Sequence, residues 1–319
     1  MGGIGGGILR ELPVFVDRLA PSGVFVVADE RVASLHPLPL EAPRLALPGG
    51  EGLKTVATWQ RVIDTLVDQG LDRDGCIVAF GGGALLDVAG FAAASYLRGI
   101  RWIAVPTTLL AQVDAAHGGK TALDHPAGKN LIGAFHTPAL VITDTDLLRT
   151  LPPREIRSGL AEVVKHAVIG APGLLDRAGR DDPASFVAEA AAVKLAIVRR
   201  DPRERGERRL LNLGHTLGHA YERASGYALS HGEAVALGLR AACRIAARHC
   251  GFRGGAAVES ALDRCALPSR GALPFEALEA LRHDKKRAGQ RLRWVLPVAL
   301  GDVRLFDDVP EALVRECLP

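Results

Sequence analysis

Between residues 24 and 142, short apolar runs alternate with segments of helical spacing, and this alternation restricts the fold more than any other feature of the chain. Residues 24–28, 76–80, 102–105 and 140–142 are continuously apolar, and most of these runs end at a polar, glycine or proline residue. Runs of this kind read as strands buried on both faces. Residues 55–69 place Val56, Trp59, Val62, Ile63 and Leu66 on one helical face and stop at Gly70, and residues 84–97 form a second, more apolar helical segment. Strands alternating with helices predict a parallel sheet covered on both sides, an α/β domain. After Leu151-Pro152-Pro153 the strand pattern stops. Helical segments follow at 154–169, 183–200, 208–224 and 232–249, with a shorter one at 274–283 and a late β-like stretch at 292–296. The double proline therefore predicts a boundary, with an α/β domain over residues 1–151 and a mostly helical domain over 152–319.

The length of 319 residues exceeds what one hydrophobic core holds and agrees with two domains. A net charge of +3, with the arginines scattered, gives no footprint for nucleic acid. No stretch approaches the roughly 20 uninterrupted apolar residues of a membrane span. The glycine-rich start carries no leader-like apolar core. The five cysteines are odd in number and contain no CxxC pair. The expectation is a cytoplasmic, reduced protein without a thiolate metal cluster.

Lysine is scarce: of the 39 lysines and arginines, only Lys54, Lys120, Lys129, Lys165, Lys194, Lys285 and Lys286 are lysine. In a chain that otherwise uses arginine for positive charge, a retained lysine marks a place where a compact, tunable amine is needed. Any one of them taken alone is as readily a surface charge.

Three constellations carry chemistry. Gly81, Gly82 and Gly83 follow a predicted strand and open a predicted helix, so backbone N–H groups and a positive helix end are available to a pyrophosphate. Asp29, at the end of the earlier strand, suits a ribose hydroxyl. The spacing is not GxGxxG, so the turn reads as a dinucleotide site of another type, or as a packing solution between strand and helix. The second constellation is His215, His219 and His231. His215 and His219 are four apart and share a helical face, and an antiparallel pair of helices brings His231 near His215. Two histidines at this spacing are also common in cores. Glu162, three residues before Lys165 on an otherwise apolar helix, is either half of a local ion pair or a carboxylate that completes a site suited to zinc. The third constellation is the region 106–135, read as a long loop. It holds Thr107, Thr108, Asp114, Lys120, Lys129 and Asn130 among glycines, and its lysines suit an anionic substrate.

The segments PTTLLAQVDAAHGGKTALDHPAGKN, GLAEVVKHAVI, LLNLGHTLGHAYE, HGEAVALG and DKK resemble the 3-dehydroquinate synthase family of the sugar-phosphate cyclases, in order along nearly the whole chain. The resemblance implies an N-terminal dinucleotide-binding α/β domain and a C-terminal helical metal domain. It implies conversion of 3-deoxy-D-arabino-heptulosonate 7-phosphate to 3-dehydroquinate and phosphate in the shikimate pathway. The implied cofactors are NAD, used catalytically, and a divalent metal, usually zinc, with cobalt as the alternative. The implied course is oxidation of a hydroxyl, loss of phosphate, reduction and aldol cyclisation.

Carried over by position, the metal ligands are Glu162, His215 and His231, with His219 a catalytic neighbour. The NAD environment is Asp29, Glu51, Lys54, Gly81, Gly82, Gly83, Asp87, Thr107, Thr108, Lys129 and Thr150, with Lys120 shared with the substrate. The substrate pocket is Asp114, Lys120, Asn130, Lys165, Lys194, Arg208, Asn212 and one of Lys285 or Lys286. The family's arginine at Arg98 reaches substrate phosphate in a neighbouring subunit, which implies a homodimer. His117 departs from the small residue usual at its position. The rivals are another cyclase such as an aminodehydroquinate synthase, a metal-dependent polyol dehydrogenase, and a non-catalytic binding protein on this scaffold. Arg208 with Asn212 favours a carboxylate-bearing substrate, because arginine binds carboxylates bidentately.

Overall fold

The computed structural model describes residues 2–273 and 293–318, and the chain separates into two compact units, Met1–Pro152 and Pro153–Pro319. The first unit is built on six parallel strands: β1 (Gly3–Gly5), β2 (Val24–Asp29), β3 (Arg44–Leu47), β4 (Cys76–Gly81), β5 (Arg101–Pro106) and β8 (Leu140–Asp144), in the order β1-β8-β5-β4-β2-β3. Its helices are α1 (Leu12–Leu19), α2 (Glu30–Leu35), α3 (Val56–Asp68) and α4 (Gly83–Ser95).

The unbroken apolar strands have a direct physical origin. Side chains alternate across a sheet. Val27, Ile77, Ala79 and Ala104 pack with Val62, Leu66, Leu85 and Val88 of α3 and α4 on one face. Val26, Ala28, Val78, Phe80, Ile103 and Val105 pack with Leu12 and Val16 of α1 on the other. With both faces covered, no strand position is left for a polar residue.

From β2 the chain moves outward to β3, and from β4 it moves outward to β5 on the opposite side. The carboxyl ends of β2 and β4 therefore flank the crevice in which open α/β sheets bind ligands.

The region 106–135 is not the plain loop expected from its composition. It contains a π-helical turn (Ala111–Ala115) and an antiparallel hairpin, β6 (Lys120–His125) with β7 (Gly128–Phe135). Its glycines and charges mask the strands: Thr121, Ala122 and Leu123 of β6 are buried in succession, while β7 stays exposed or half-buried, so only part of the hairpin is covered. Packing against α4 supplies that cover: a Cβ on Gly90 of α4 would stand 2.5 Å from Thr121 Cγ2.

The second unit is mostly helical: α5 (Pro153–Gly170), α6 (Leu174–Arg177), α7 (Val187–Arg200), α8 (His215–Ala224), α9 (His231–His249), α10 (Gly255–Arg264) and α11 (Glu311–Glu316). A hairpin of β9 (Trp294–Ala299) and β10 (Asp302–Phe306) accompanies them. The helix expected over 208–224 is two elements. A 3-10 turn (Glu207–Asn212) ends before Gly214, which takes φ +77°, and α8 begins at His215. A left-handed residue cannot continue an α-helix, and glycine adopts it freely. Similarly, the segment 183–200 opens with a separate 3-10 turn (Pro183–Ser185) before α7. The segment 274–283 lies outside the described residues. Among the described residues no helix is long and apolar enough to cross a membrane.

Candidate active site

Helix α5 is buried from Ser158 to Ile169 on all its faces, yet it carries Glu162 and Lys165 there, each 1% exposed. Buried charges must be paired, and these form a direct ion pair within the helix, with the Lys165 ammonium on Glu162 Oε2. The other carboxylate oxygen, Oε1, faces two imidazoles: His231 Nε2 at 3.2 Å and His215 Nε2 at 3.5 Å. The rings of His215 and His231 lie 5.2 Å apart, and His219 stands 5.6 Å from His215, edge-on.

Local structure places each of these groups. The break at Gly214 makes His215 the first residue of α8, and His219 follows one turn later on the same face. His215 Nδ1 lies 3.1 Å from the Leu213 carbonyl. A carbonyl can only accept, so Nδ1 carries the proton and Nε2 keeps the lone pair toward Glu162. His231 opens α9, whose start is fixed by Ser230 and Glu233 in a reciprocal capping box. Arg154 of α5 holds Glu233 with two hydrogen bonds of 3.1 and 2.7 Å. Between His231 and Glu233, Gly232 sits against α5 so closely that a Cβ would lie 2.2 Å from the Ser158 carbonyl oxygen. Only glycine brings the first turn of α9 within reach of Glu162, one helical turn further along α5.

The electrostatics of the cluster suit a cation. One carboxylate and two imidazole nitrogens lie within 4.8 Å of one another, a donor set proper to a catalytic divalent metal with a coordination position left open. Burial and the nearby Lys165 push the His215 pKa down to about 3, so this ring is neutral and ready to bind. Burial works the same way on His231, but Glu162 and Glu222 on either side outweigh it and push its pKa up to about 9. A proton on His231 thus occupies the place where a cation would satisfy the same carboxylate, and metal binding displaces such protons.

In the first unit, Gly82 is the N-cap of α4 and offers no capping side chain, which leaves the first N–H groups of that helix open. A Cβ on Gly82 would stand 3.1 Å from Thr108, and one on Gly83 would stand 3.2 Å from Ala115. The backbone here fits a ligand only without side chains. Thr107, whose N–H is bonded to the Gly81 carbonyl, has a buried hydroxyl with no hydrogen-bond partner among the described residues. Asp29 stands at the carboxyl end of β2 and caps α2 through Val32 N. Thr150 Oγ1 pairs with His36 at 2.6 Å. An uncapped helix start, an orphan hydroxyl and a carboxylate at one edge of a parallel sheet fit a dinucleotide.

Beside this turn lies a buried cation. Lys54 is 3% exposed and meets Asp87 at 2.8 Å, Glu51 at 3.4 Å and Asp124 at 3.8 Å, with Asn130 in direct contact. Burial opposes its charge, yet these carboxylates overcome the penalty and hold its pKa above the ordinary lysine value. Lys129 approaches Glu51 at 3.9 Å. Asp124 is a member that sequence reasoning misses. It stands in the hairpin, accepts from Asn130 N at 2.8 Å, and its own N–H bonds the Lys54 carbonyl. An acidic residue two positions before a proline reads as an ordinary turn former.

The remaining expected residues have their own supports. Asp114 lies in the π-helical turn, which departed helical geometry often marks as functional. His117, just beyond it, is buried and meets the Gln112 carbonyl at 2.8 Å. Lys120 opens β6 and Lys194 is buried on α7. Arg208 is buried with Nη1 on the Pro202 carbonyl. Asn212 donates to Glu204 at 2.9 Å. Arg98 follows α4 in a left-handed turn with φ +67°. Lys285 and Lys286 lie outside the described residues.

Residues 44–158 match the 3-dehydroquinate synthase N-terminal family, and residues 159–287 match the 3-dehydroquinate synthase C-terminal family. The chain belongs to the 3-dehydroquinate synthase family. A 3-dehydroquinate synthase of Opitutus terrae is 46% identical over 92% of this chain and 87% of its own length. Solved relatives share the fold across the sugar-phosphate cyclases. The 2-epi-5-epi-valiolone synthase of Streptomyces hygroscopicus subsp. jinggangensis, with NAD+ and Zn2+ bound, superposes with a TM-score of 0.89 at 25% identity, covering 99% of this chain and 95% of that one. A 2-deoxy-scyllo-inosose synthase complexed with carbaglucose-6-phosphate, NAD+ and Co2+ gives 0.85 at 28% identity, covering 98% and 95%.

Proposed function

We propose that this protein is a 3-dehydroquinate synthase that converts 3-deoxy-D-arabino-heptulosonate 7-phosphate to 3-dehydroquinate and phosphate. The observation that carries the reading is the single buried carboxylate oxygen of Glu162 facing both His215 and His231. Glu162, His215 and His231 hold the divalent metal, with zinc as the expected ion. Asp29, Gly81, Gly82, Gly83, Thr107, Thr108 and Thr150 hold NAD, while the cluster of Glu51, Lys54, Asp87 and Lys129 supports it. When bound, NAD supplies a hydride acceptor that is restored within each turnover, and the metal supplies a Lewis acid.

The chain's own residues bind and orient the substrate. Arg208 and Asn212 suit its carboxylate. Lys120, Asn130, Lys165 and Lys194 suit its phosphate and hydroxyls, and Asp114 accepts a hydroxyl proton. His219, one turn from His215 and exposed, is placed to hold or move a proton without binding the metal. Arg98 completes the phosphate site of a second subunit, so the active form is a homodimer with shared sites.

The test is incubation with the heptulosonate phosphate, a divalent metal and substoichiometric NAD. The expected result is phosphate release far exceeding the NAD present, with no matching rise in NADH absorbance. NADH formed in step with substrate consumed, or no phosphate at all, overturns the reading.

A further inference from the structure

We propose that Glu222 is a positioning residue of the metal centre: its carboxylate lies close to Nδ1 of His231, favours the proton on that nitrogen, and so favours the tautomer in which Nε2 is free toward Glu162. The inference rests on the reading of Glu162, His215 and His231 as metal ligands.

His231 stands between two carboxylates. Its Nε2 is 3.2 Å from Glu162 Oε1, and its Nδ1 is 3.6 Å from Glu222 Oε1. A neutral imidazole has one donor nitrogen and one acceptor nitrogen, so whichever group holds the proton decides which lone pair is free. Glu222, an acceptor, faces Nδ1 and leaves the Nε2 lone pair for a cation. Glu222 is 3% exposed, which a carboxylate does not tolerate without a defined partner.

The helix explains the placement. His215, His219 and Glu222 stand at positions i, i+4 and i+7 of α8, so one stripe carries a ligand, its neighbour and this carboxylate. The two ligand imidazoles are then supported alike from behind. His215 has a backbone carbonyl, that of Leu213, 3.1 Å from its Nδ1, whereas the group facing Nδ1 of His231 is the side chain of Glu222, 3.6 Å away.

A competing arrangement exists, because His219, Glu222 and His231 also offer three atoms within 4.8 Å. It would take the metal on Nδ1 of His231. Against it, the Nε2 atoms of both His215 and His231 turn to the same buried oxygen of Glu162.

The experiment measures zinc affinity by competition with a chromophoric chelator, alongside melting curves of the metal-free proteins. Loss of an outer-shell carboxylate typically weakens metal binding about 10- to 100-fold. Glu222→Ala is expected in that range, and Glu222→Gln is expected to lose several-fold, because its amide oxygen still accepts from Nδ1–H. His219→Ala should bind zinc as the wild type does. Nitrogen NMR of the zinc-loaded wild type should show His231 protonated on Nδ1. Wild-type affinity in Glu222→Ala overturns the proposal. So does a His219→Ala loss as large as that of Glu222→Ala, which moves the metal to the competing set. If the alanine variant does not fold, the Gln variant decides, and wild-type affinity there overturns the proposal. Wild-type affinity in His231→Ala overturns the ligand assignment itself, a separate result.

Discussion

With Glu162, His215 and His231 as the proposed metal ligands, Gly232→Ala should abolish metal binding without altering any of the three. The added Cβ would lie 2.2 Å from the Ser158 carbonyl oxygen, 2.4 Å from its Cα and 2.6 Å from its carbonyl carbon. These are backbone atoms of α5 and cannot rotate aside. Ordinary contact begins at 3.4 Å, so the first turn of α9 must retreat by about 1.2 Å. His231 is the preceding residue, and its Nε2 now stands 3.2 Å from Glu162 Oε1. Metal centres accept errors of about 0.2 Å in ligand position, so the retreat is several times the tolerance. Overpacking of this kind also costs about 1–3 kcal/mol of stability, a few degrees of melting temperature for a chain of this size.

Zinc affinity by chelator competition, together with melting curves of the metal-free protein, reads both effects. Ser158→Ala separates them. It removes the 3.1 Å bond that Gly232 N–H donates to Ser158 Oγ, at about 1 kcal/mol, but leaves the helices where they are. It should keep the metal, and it should not rescue Gly232→Ala, because the clash is with backbone. Gly173→Ala, with nothing within 4 Å of the new Cβ, should be neutral. Wild-type zinc affinity in Gly232→Ala, or its rescue by Ser158→Ala, would refute the claim that close approach of α5 and α9 aligns the ligands.

Further outcomes follow from the same geometry. Burial, opposed by Lys54, raises the Asp87 carboxyl from 3.8 to about 6. A carboxyl raised on folding binds its proton more tightly in the folded chain, so its contribution to stability falls as pH rises from about 4 to about 6 and is constant above. Carboxyl NMR should give a midpoint near 6, moved further up by Lys54→Met; a wild-type midpoint near 4 contradicts the assignment. Arginine at Lys120, Lys165 or Lys194 should lower phosphate release severely, since a guanidinium is larger and not tunable; near-normal rates in all three variants would dismiss the argument from lysine scarcity. Arg98→Ala and His219→Ala should each be nearly inactive alone and should regain activity when mixed under subunit exchange. No recovery on mixing, or full activity of Arg98→Ala alone, speaks against shared sites.

The parallel core is legible in the sequence because burial on both faces forbids polar residues in the central strands, and β2, β4, β5 and β8 carry that signature. The two edge strands do not. β1 is Gly-Ile-Gly, with almost no side chains to show a pattern, and β3 is exposed along half its length. The hairpin of β6 and β7 is concealed because charges and glycines gather where it meets Lys54 and Asp87, so its composition reflects its contacts rather than its strands. The break before α8 is a different failure: helical periodicity runs on across residues 208–224, and only the positive φ of Gly214 ends it.

The candidate site follows the same rule. Spacing finds residues that share an element and misses those whose meaning lies in a distant partner. His215 and His219 stand out because four residues apart is one helical turn. Glu222 is three residues further along the same stripe, yet an acid on a helix is normally solvated, and nothing in its neighbourhood in sequence announces His231. Lys165 is marked by the scarcity of lysine, but its pairing with Glu162 decides which carboxylate oxygen is left for the histidines. What composition and periodicity cannot express is that one carboxylate is divided, with Oε2 facing a cation of its own helix and Oε1 facing two rings brought in by other helices. That division follows from the close approach of α9 to α5 at Gly232, so the most informative residue of the site is the one with no side chain.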